Sequence, residues 1–172
     1  MRKTLFSFSI LVMTGIIFFS CSSSTEPKKE VKEVIAKLDD FKGYTSWTKV
    51  DTRFGPDPLL QTAHGVTDSL FRVVYVKDNV KPSSGKYPVG TMILKELRDA
   101  NNKLQGAITV MVKRGGSFNP DGNGWEWFMT DTGLTTILSQ GDNATAGGGM
   151  CASCHAGANT NNNGTDWVFN HP

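Results

Sequence analysis

Four runs of β-branched and aromatic residues in the middle of the chain constrain its fold more than any other feature. They are Leu70–Val76 (LFRVVYV), Thr91–Leu97 (TMILKEL), Ala107–Lys113 (AITVMVK) and Trp125–Phe128 (WEWF). Such runs form strands, and here they are separated by turn-forming clusters such as Pro82-Ser83-Ser84-Gly85 and Asn119–Gly124. The expected class is mainly β (α+β), an antiparallel sheet of about four or five strands with a few helices. Leu134–Leu138 is too short to assign. Toward the start, Val31, Val34, Ile35 and Leu38 repeat at helical spacing, which predicts an N-terminal helix over Pro27–Leu38 ended by Gly43. The following segment, through Gly55-Pro56-Asp57-Pro58, reads as irregular, with Tyr44 and Trp47 packing inward.

The first twenty residues read as an export signal. Arg2 and Lys3 precede an apolar run from Leu5 to Phe19, which is shorter than the roughly 20 residues needed to cross a bilayer as a helix. It ends Phe18-Phe19-Ser20-Cys21, which resembles a lipoprotein signal with Cys21 as the lipid acceptor and Ser22–Pro27 as a tether. The alternative is ordinary secretion without lipid. The expected organisation is therefore a signal over 1–20, a tether and helix over 21–39, and one domain over 40–172. Removing 1–20 takes Arg2 and Lys3 with it, so the formal charge of +2 falls to about zero. That leaves no basic footprint for nucleic acid.

Close to the C-terminus stands Gly147-Gly148-Gly149-Met150-Cys151-Ala152-Ser153-Cys154-His155. Cys-x-x-Cys-His is the spacing of c-type haem attachment. Two thiols three positions apart form thioethers on one helical turn, and the adjacent imidazole reaches the iron. The chain has 3 cysteines, so assigning Cys21 to lipid and Cys151 with Cys154 to haem leaves none over. Both assignments require export, to the periplasmic side of a membrane as a lipoprotein or to the periplasm as a soluble protein. A zinc site built from the same cysteines and two of His64, His155 and His171 competes, without finger-like spacing. A thioredoxin-like redox pair lacks its βαβ setting. The sixth iron ligand has no evident source: no methionine follows His155, and His64, Met92, Met111 and Met129 lie upstream. The reading is an open distal position that takes a small molecule.

On an extended strand Ile93, Lys95 and Leu97 share one face, and Met92, Leu94 and Glu96 share the other. A lysine on an apolar face needs a reason, because an unpaired buried ammonium is costly. An edge-strand lysine reaching solvent along its stem is the alternative.

The segments Arg72-Val73-Val74-Tyr75-Val76, Pro88–Leu97 (PVGTMILKEL), Trp125–Phe128, Cys151–His155 and Asp166-Trp167-Val168-Phe169 stand in one order. In that order the chain resembles the cytochrome P-460 and cytochrome c′-beta group over approximately residues 40–170. The resemblance implies a β-rich domain with one covalent haem c near the C-terminus, often as a homodimer. It implies His155 as proximal ligand, Cys151 and Cys154 as thioethers, Arg72 in the distal pocket and Lys95 as a haem cross-link in the P-460 branch. It further implies a nitrogenous ligand: hydroxylamine, oxidised by the P-460 members, or nitric oxide, bound by the c′-beta members. Hydroxylamine-oxidising members carry a carboxylate on the strand after the lysine strand, and Ala107–Val112 has none. The expectation is an exported mono-haem protein binding small nitrogen oxides, with a periplasmic electron-transfer partner. The rivals are a six-coordinate electron carrier with His64 or a methionine on the iron, and a structural lipoprotein without haem.

Overall fold

A computed structural model describes residues 32–61, 63–160 and 163–169. The signal, Cys21 and His171 lie outside them. Six strands form one antiparallel meander in chain order: β1 Thr48–Phe54, β2 Phe71–Val76, β3 Met92–Arg98, β4 Leu104–Lys113, β5 Trp125–Thr130 and β6 Ile137–Gly141. A small hairpin, β7 Gly164–Thr165 with β8 Val168–Phe169, follows the helix α2, Met150–His155. The mainly β expectation holds.

The central strands are mostly apolar because both faces of the sheet are covered. One face gathers Val73, Tyr75, Met92, Leu94, Val110, Val112 and Phe128 under Phe41 and Tyr44. The other gathers Val74, Val76, Ile93, Met111, Trp125 and Trp127 with Ala146 and Val168. The alternation read from Thr91–Leu97 is borne out, since Met92 and Leu94 belong to the first face and Ile93 to the second. Trp47 packs against the first face and Tyr44 is buried.

In the main sheet two strands go beyond the expected set, and the β7–β8 hairpin is a further addition. β1 falls in the segment read as irregular and pairs with β2 from Thr48↔Val76 to Phe54↔Phe71 across a bulge at Lys49/Asp51. β6 begins inside Leu134–Leu138 and pairs with β5. The helix expected over Pro27–Leu38 is corrected within the described residues: Lys32–Lys37 is not helical, and α1 spans only Leu38–Phe41. Tertiary contacts explain this. The Val34 amide donates to the Arg114 carbonyl at 2.9 Å and Glu33 pairs with Arg114 at 2.7 Å. Ala36 is buried while Ile35 stays 61% exposed, so the apolar residues do not share one buried face. Gly43, at φ 71, takes the left-handed position beyond α1.

Candidate functional site

Between the second face of the sheet and α2 lies a cavity of about 410 Å³, bordered where Trp127 of β5 and Cys151 of α2 join the two sides. From the sheet it is lined by Arg72 and Val74 of β2, Ile93 and Lys95 of β3, Thr109 and Met111 of β4, and Trp127 and Met129 of β5. α2 contributes Met150, Cys151, Cys154 and His155, the β7–β8 hairpin adds Val168 and Phe169, and the loop between β1 and β2 brings His64. The surface is mainly apolar with a few converging polar groups, as ligand sites are. Arg72, Lys95, Cys151, Cys154 and His155, five residues spread over half the sequence, thus meet at one cavity.

α2 is aimed by the glycines before it. Gly147, Gly148 and Gly149 have φ of 58, 62 and 84, conformations that L side chains adopt with strain. At Gly147 a Cβ would stand 3.1 Å from Cys151 Sγ, so the glycine also leaves room beside that sulfur. Both thiols are half-buried and not joined to each other, and burial raises the Cys151 pKa.

His155 is oriented by backbone. Its Nδ1 lies 2.8 Å from the Trp167 carbonyl oxygen. With Nδ1–H donating to that oxygen, the ring's lone pair sits on Nε2, the usual arrangement of a metal-binding histidine. Trp127 and Phe169 pack on the ring, with centres at 4.7 and 5.5 Å. The carbonyl is in turn held by the turn at Asp166 and Trp167, whose φ values are 54 and 68. Asp166 accepts two hydrogen bonds from Lys113 Nζ, at 2.7 and 2.9 Å, one from Asn123 and one from the Tyr87 amide. Asn159 Oδ1 receives the Trp167 amide. Nothing in the local sequence advertises the Trp167 carbonyl, because the contact spans the whole hairpin.

Lys95 lies on the cavity face of β3, opposite Thr109 of β4. Burial first, then the charge of Arg72, lower its pKa to about 7, against an opposing contribution from Cys154. It is an interior lysine rather than one reaching solvent from an edge, since β3 lies between β2 and β4.

Arg72 is buried and already paired, with Asp51 at 2.7 Å and Asp57 at 3.5 Å. These two carboxylates were not foreseen from sequence. Arg72 Nε is buried without a hydrogen-bond partner among the described residues. Asp57 also accepts amides from Leu59 and Leu60, which ties the β1–β2 loop to the guanidinium. Burial would raise the Asp57 pKa, but those amides with Arg53 and Arg72 outweigh it and hold the pKa low.

The candidates for a sixth ligand separate clearly. Met92 is packed in the opposite face and turned away from the cavity, whereas Met111, Met129 and His64 line it. His64 is exposed by surface area although protein atoms crowd its ring, and that crowding, with the charges of Lys95, His155 and Arg72, pushes its pKa down. Its Nδ1 lies 3.2 Å from Thr109 Oγ1, and its ring centre is 6.1 Å from that of His155. Among the described residues no group of three or more His, Cys, Asp or Glu side chains is arranged to hold a metal ion, so the zinc set does not assemble there.

An antiparallel sheet with a Cys-x-x-Cys-His helix hung over an apolar cavity defines a β-sheet haem cytochrome. The family model described as Cytochrome P460 matches residues 41–170, and the chain belongs to that family. The same comparisons found no match among curated proteins and none among solved structures. The residues fit the group the family implies: an apolar slot, two thiols on one helical turn, a glycine that spares Cys151, and an imidazole whose Nδ1 is already engaged.

Proposed function

We propose that this cytochrome holds one covalent haem c through Cys151 and Cys154, with His155 as the proximal ligand, and binds small nitrogen oxides, nitric oxide foremost, on the sheet side. Haem supplies an iron with axial positions for ligation and one-electron chemistry. The observation that carries the reading is the convergence of His155 with Lys95 and Arg72 on one apolar cavity. The apolar walls keep water from competing and strengthen each polar contact inside. Arg72 lines the cavity, fixed by Asp51 and Asp57, and its positive charge favours a ligand's developing negative charge.

Hydroxylamine oxidation is the second activity within this reading, and it needs a group that takes protons over the substrate. No carboxylate lines the cavity among the described residues, and a positioned base contributes about 10²–10⁴-fold. Nitric oxide binding is therefore favoured over turnover. Lys95 is the proposed haem cross-link, a C–N bond that replaces an amine N–H and a haem C–H while two electrons pass to an oxidant such as peroxide; its pKa of about 7 leaves much of the amine neutral at physiological pH. Tryptic mapping of the matured protein tests this, with a haem-bearing Lys95 peptide expected; a free Lys95 peptide removes the cross-link and leaves the rest standing.

The wider setting belongs to the same proposal. Cys21 carries a lipid that anchors the exported domain, a periplasmic redox partner exchanges electrons with it, and the domain forms a homodimer. Metabolic labelling with a radioactive fatty acid tests the anchor: wild type takes up label and Cys21→Ser does not. Label in neither protein would leave a soluble periplasmic form. For the central proposal, addition of nitric oxide to the reduced, haem-loaded protein should shift its Soret band with one ligand per haem. A low-spin spectrum that nitric oxide leaves unchanged would instead identify an electron carrier.

A further inference from the structure

We propose that His64 is the sixth iron ligand of the resting protein, so that an incoming small molecule must displace it. This rests on haem being held by Cys151, Cys154 and His155 as proposed above. Both imidazoles line one cavity, His155 from α2 and His64 from the β1–β2 loop. Their ring centres are 6.1 Å apart and their planes are inclined at 59°. Imidazoles bound on opposite sides of one metal, at about 2.0 Å per bond, have ring centres about 6 Å apart.

The anchoring of the two rings is alike: Nδ1 of His155 is engaged by the Trp167 carbonyl and Nδ1 of His64 by the Thr109 hydroxyl. With each Nδ1–H donating, each ring directs the lone pair of Nε2 elsewhere, and such outer contacts orient metal-binding histidines.

The competing side chains are less well placed. Met111 and Met129 also line the cavity but belong to strands, so their backbone cannot withdraw. His64 instead sits in a loop, with φ of 62 at His64 and 75 at Gly65. A ligand held by a loop can leave the iron when a stronger ligand arrives and return afterwards. That reconciles a closed resting iron with the small-molecule binding proposed above.

The test compares ferric haem-loaded wild type with His64→Gly by electron paramagnetic resonance and absorption spectroscopy. Glycine is unstrained at this φ and opens a space the size of an imidazole. Wild type should be low-spin, His64→Gly high-spin, and added imidazole should restore the low-spin signal in the variant. Nitric oxide should associate with the reduced variant at least about tenfold faster than with wild type, the competing ligand having gone. A high-spin wild type overturns the proposal, and so does a low-spin signal that survives His64→Gly without imidazole. If the spin states change as expected while neither protein takes up nitric oxide, His64 is the ligand and the small-molecule reading fails.

Discussion

Asp166 carries more of the site than its place outside the cavity lining would suggest. Its carboxylate neutralises the buried Lys113, its carbonyl accepts the Trp125 indole N–H at 2.6 Å, and its backbone begins the turn that presents the Trp167 carbonyl to His155. Burial lowers the Lys113 pKa and Asp166 opposes that shift through a hydrogen bond and its charge. Removing one partner of a buried pair leaves the other charge uncompensated, at a cost of about 3–5 kcal/mol. Asp166→Ala should therefore lower the urea-unfolding free energy by about that amount, and Lys113→Met added to it should recover part of the loss. No recovery in the double variant would mean that the pair does not set the stability of the hairpin. His155, Cys151 and Cys154 were legible because their chemistry is written in five adjacent residues. The partners of His155 and Arg72 were not, because Trp167, Asp51 and Asp57 reach them only through the folded chain.

Strands differ in how plainly they show themselves, and β1 and β2 make the contrast. β2 is buried on both faces, so its composition alone marks it. β1 is an edge strand in which Lys49, Asp51 and Arg53 alternate with Thr and Val; its signal was period-two alternation, masked by the charges that protect an edge. β6 hid for a different reason, being short and exposing Ile137 at 37% and Leu138 at 54%. On the face away from the cavity, β2 and β3 meet in a polar cluster. Glu96 of β3, fully buried, accepts hydrogen bonds from Tyr44, Tyr75 and Arg98. Burial first, then Glu96, raises the pKa of both tyrosines, that of Tyr75 to about 12. The folded protein keeps these protons above pH 10 whereas the unfolded chain releases them near pH 10. Stability must therefore fall as pH rises from about 10 to 12. Denaturation across that range should show the fall, and Tyr75→Phe should make it shallower; an equal slope in the variant would show that Tyr75 ionises as an ordinary tyrosine.

The whole molecule is a two-sided sheet with unequal tasks. One face, under Phe41 and Tyr44, is packed and supplies stability; the other keeps a cavity beneath α2. By the time α2 is reached, β2 to β5 have set Arg72, Lys95, Thr109 and Trp127 in place, and the hairpin beyond α2 needs only to aim His155. The central claim is that the iron held there takes a small nitrogen oxide at the face turned toward the sheet. The most direct test is the absorption spectrum of the reduced protein, matured with covalent haem, before and after nitric oxide is added. One nitric oxide per haem with a shifted Soret band is the predicted result. A spectrum that nitric oxide leaves unchanged would contradict it.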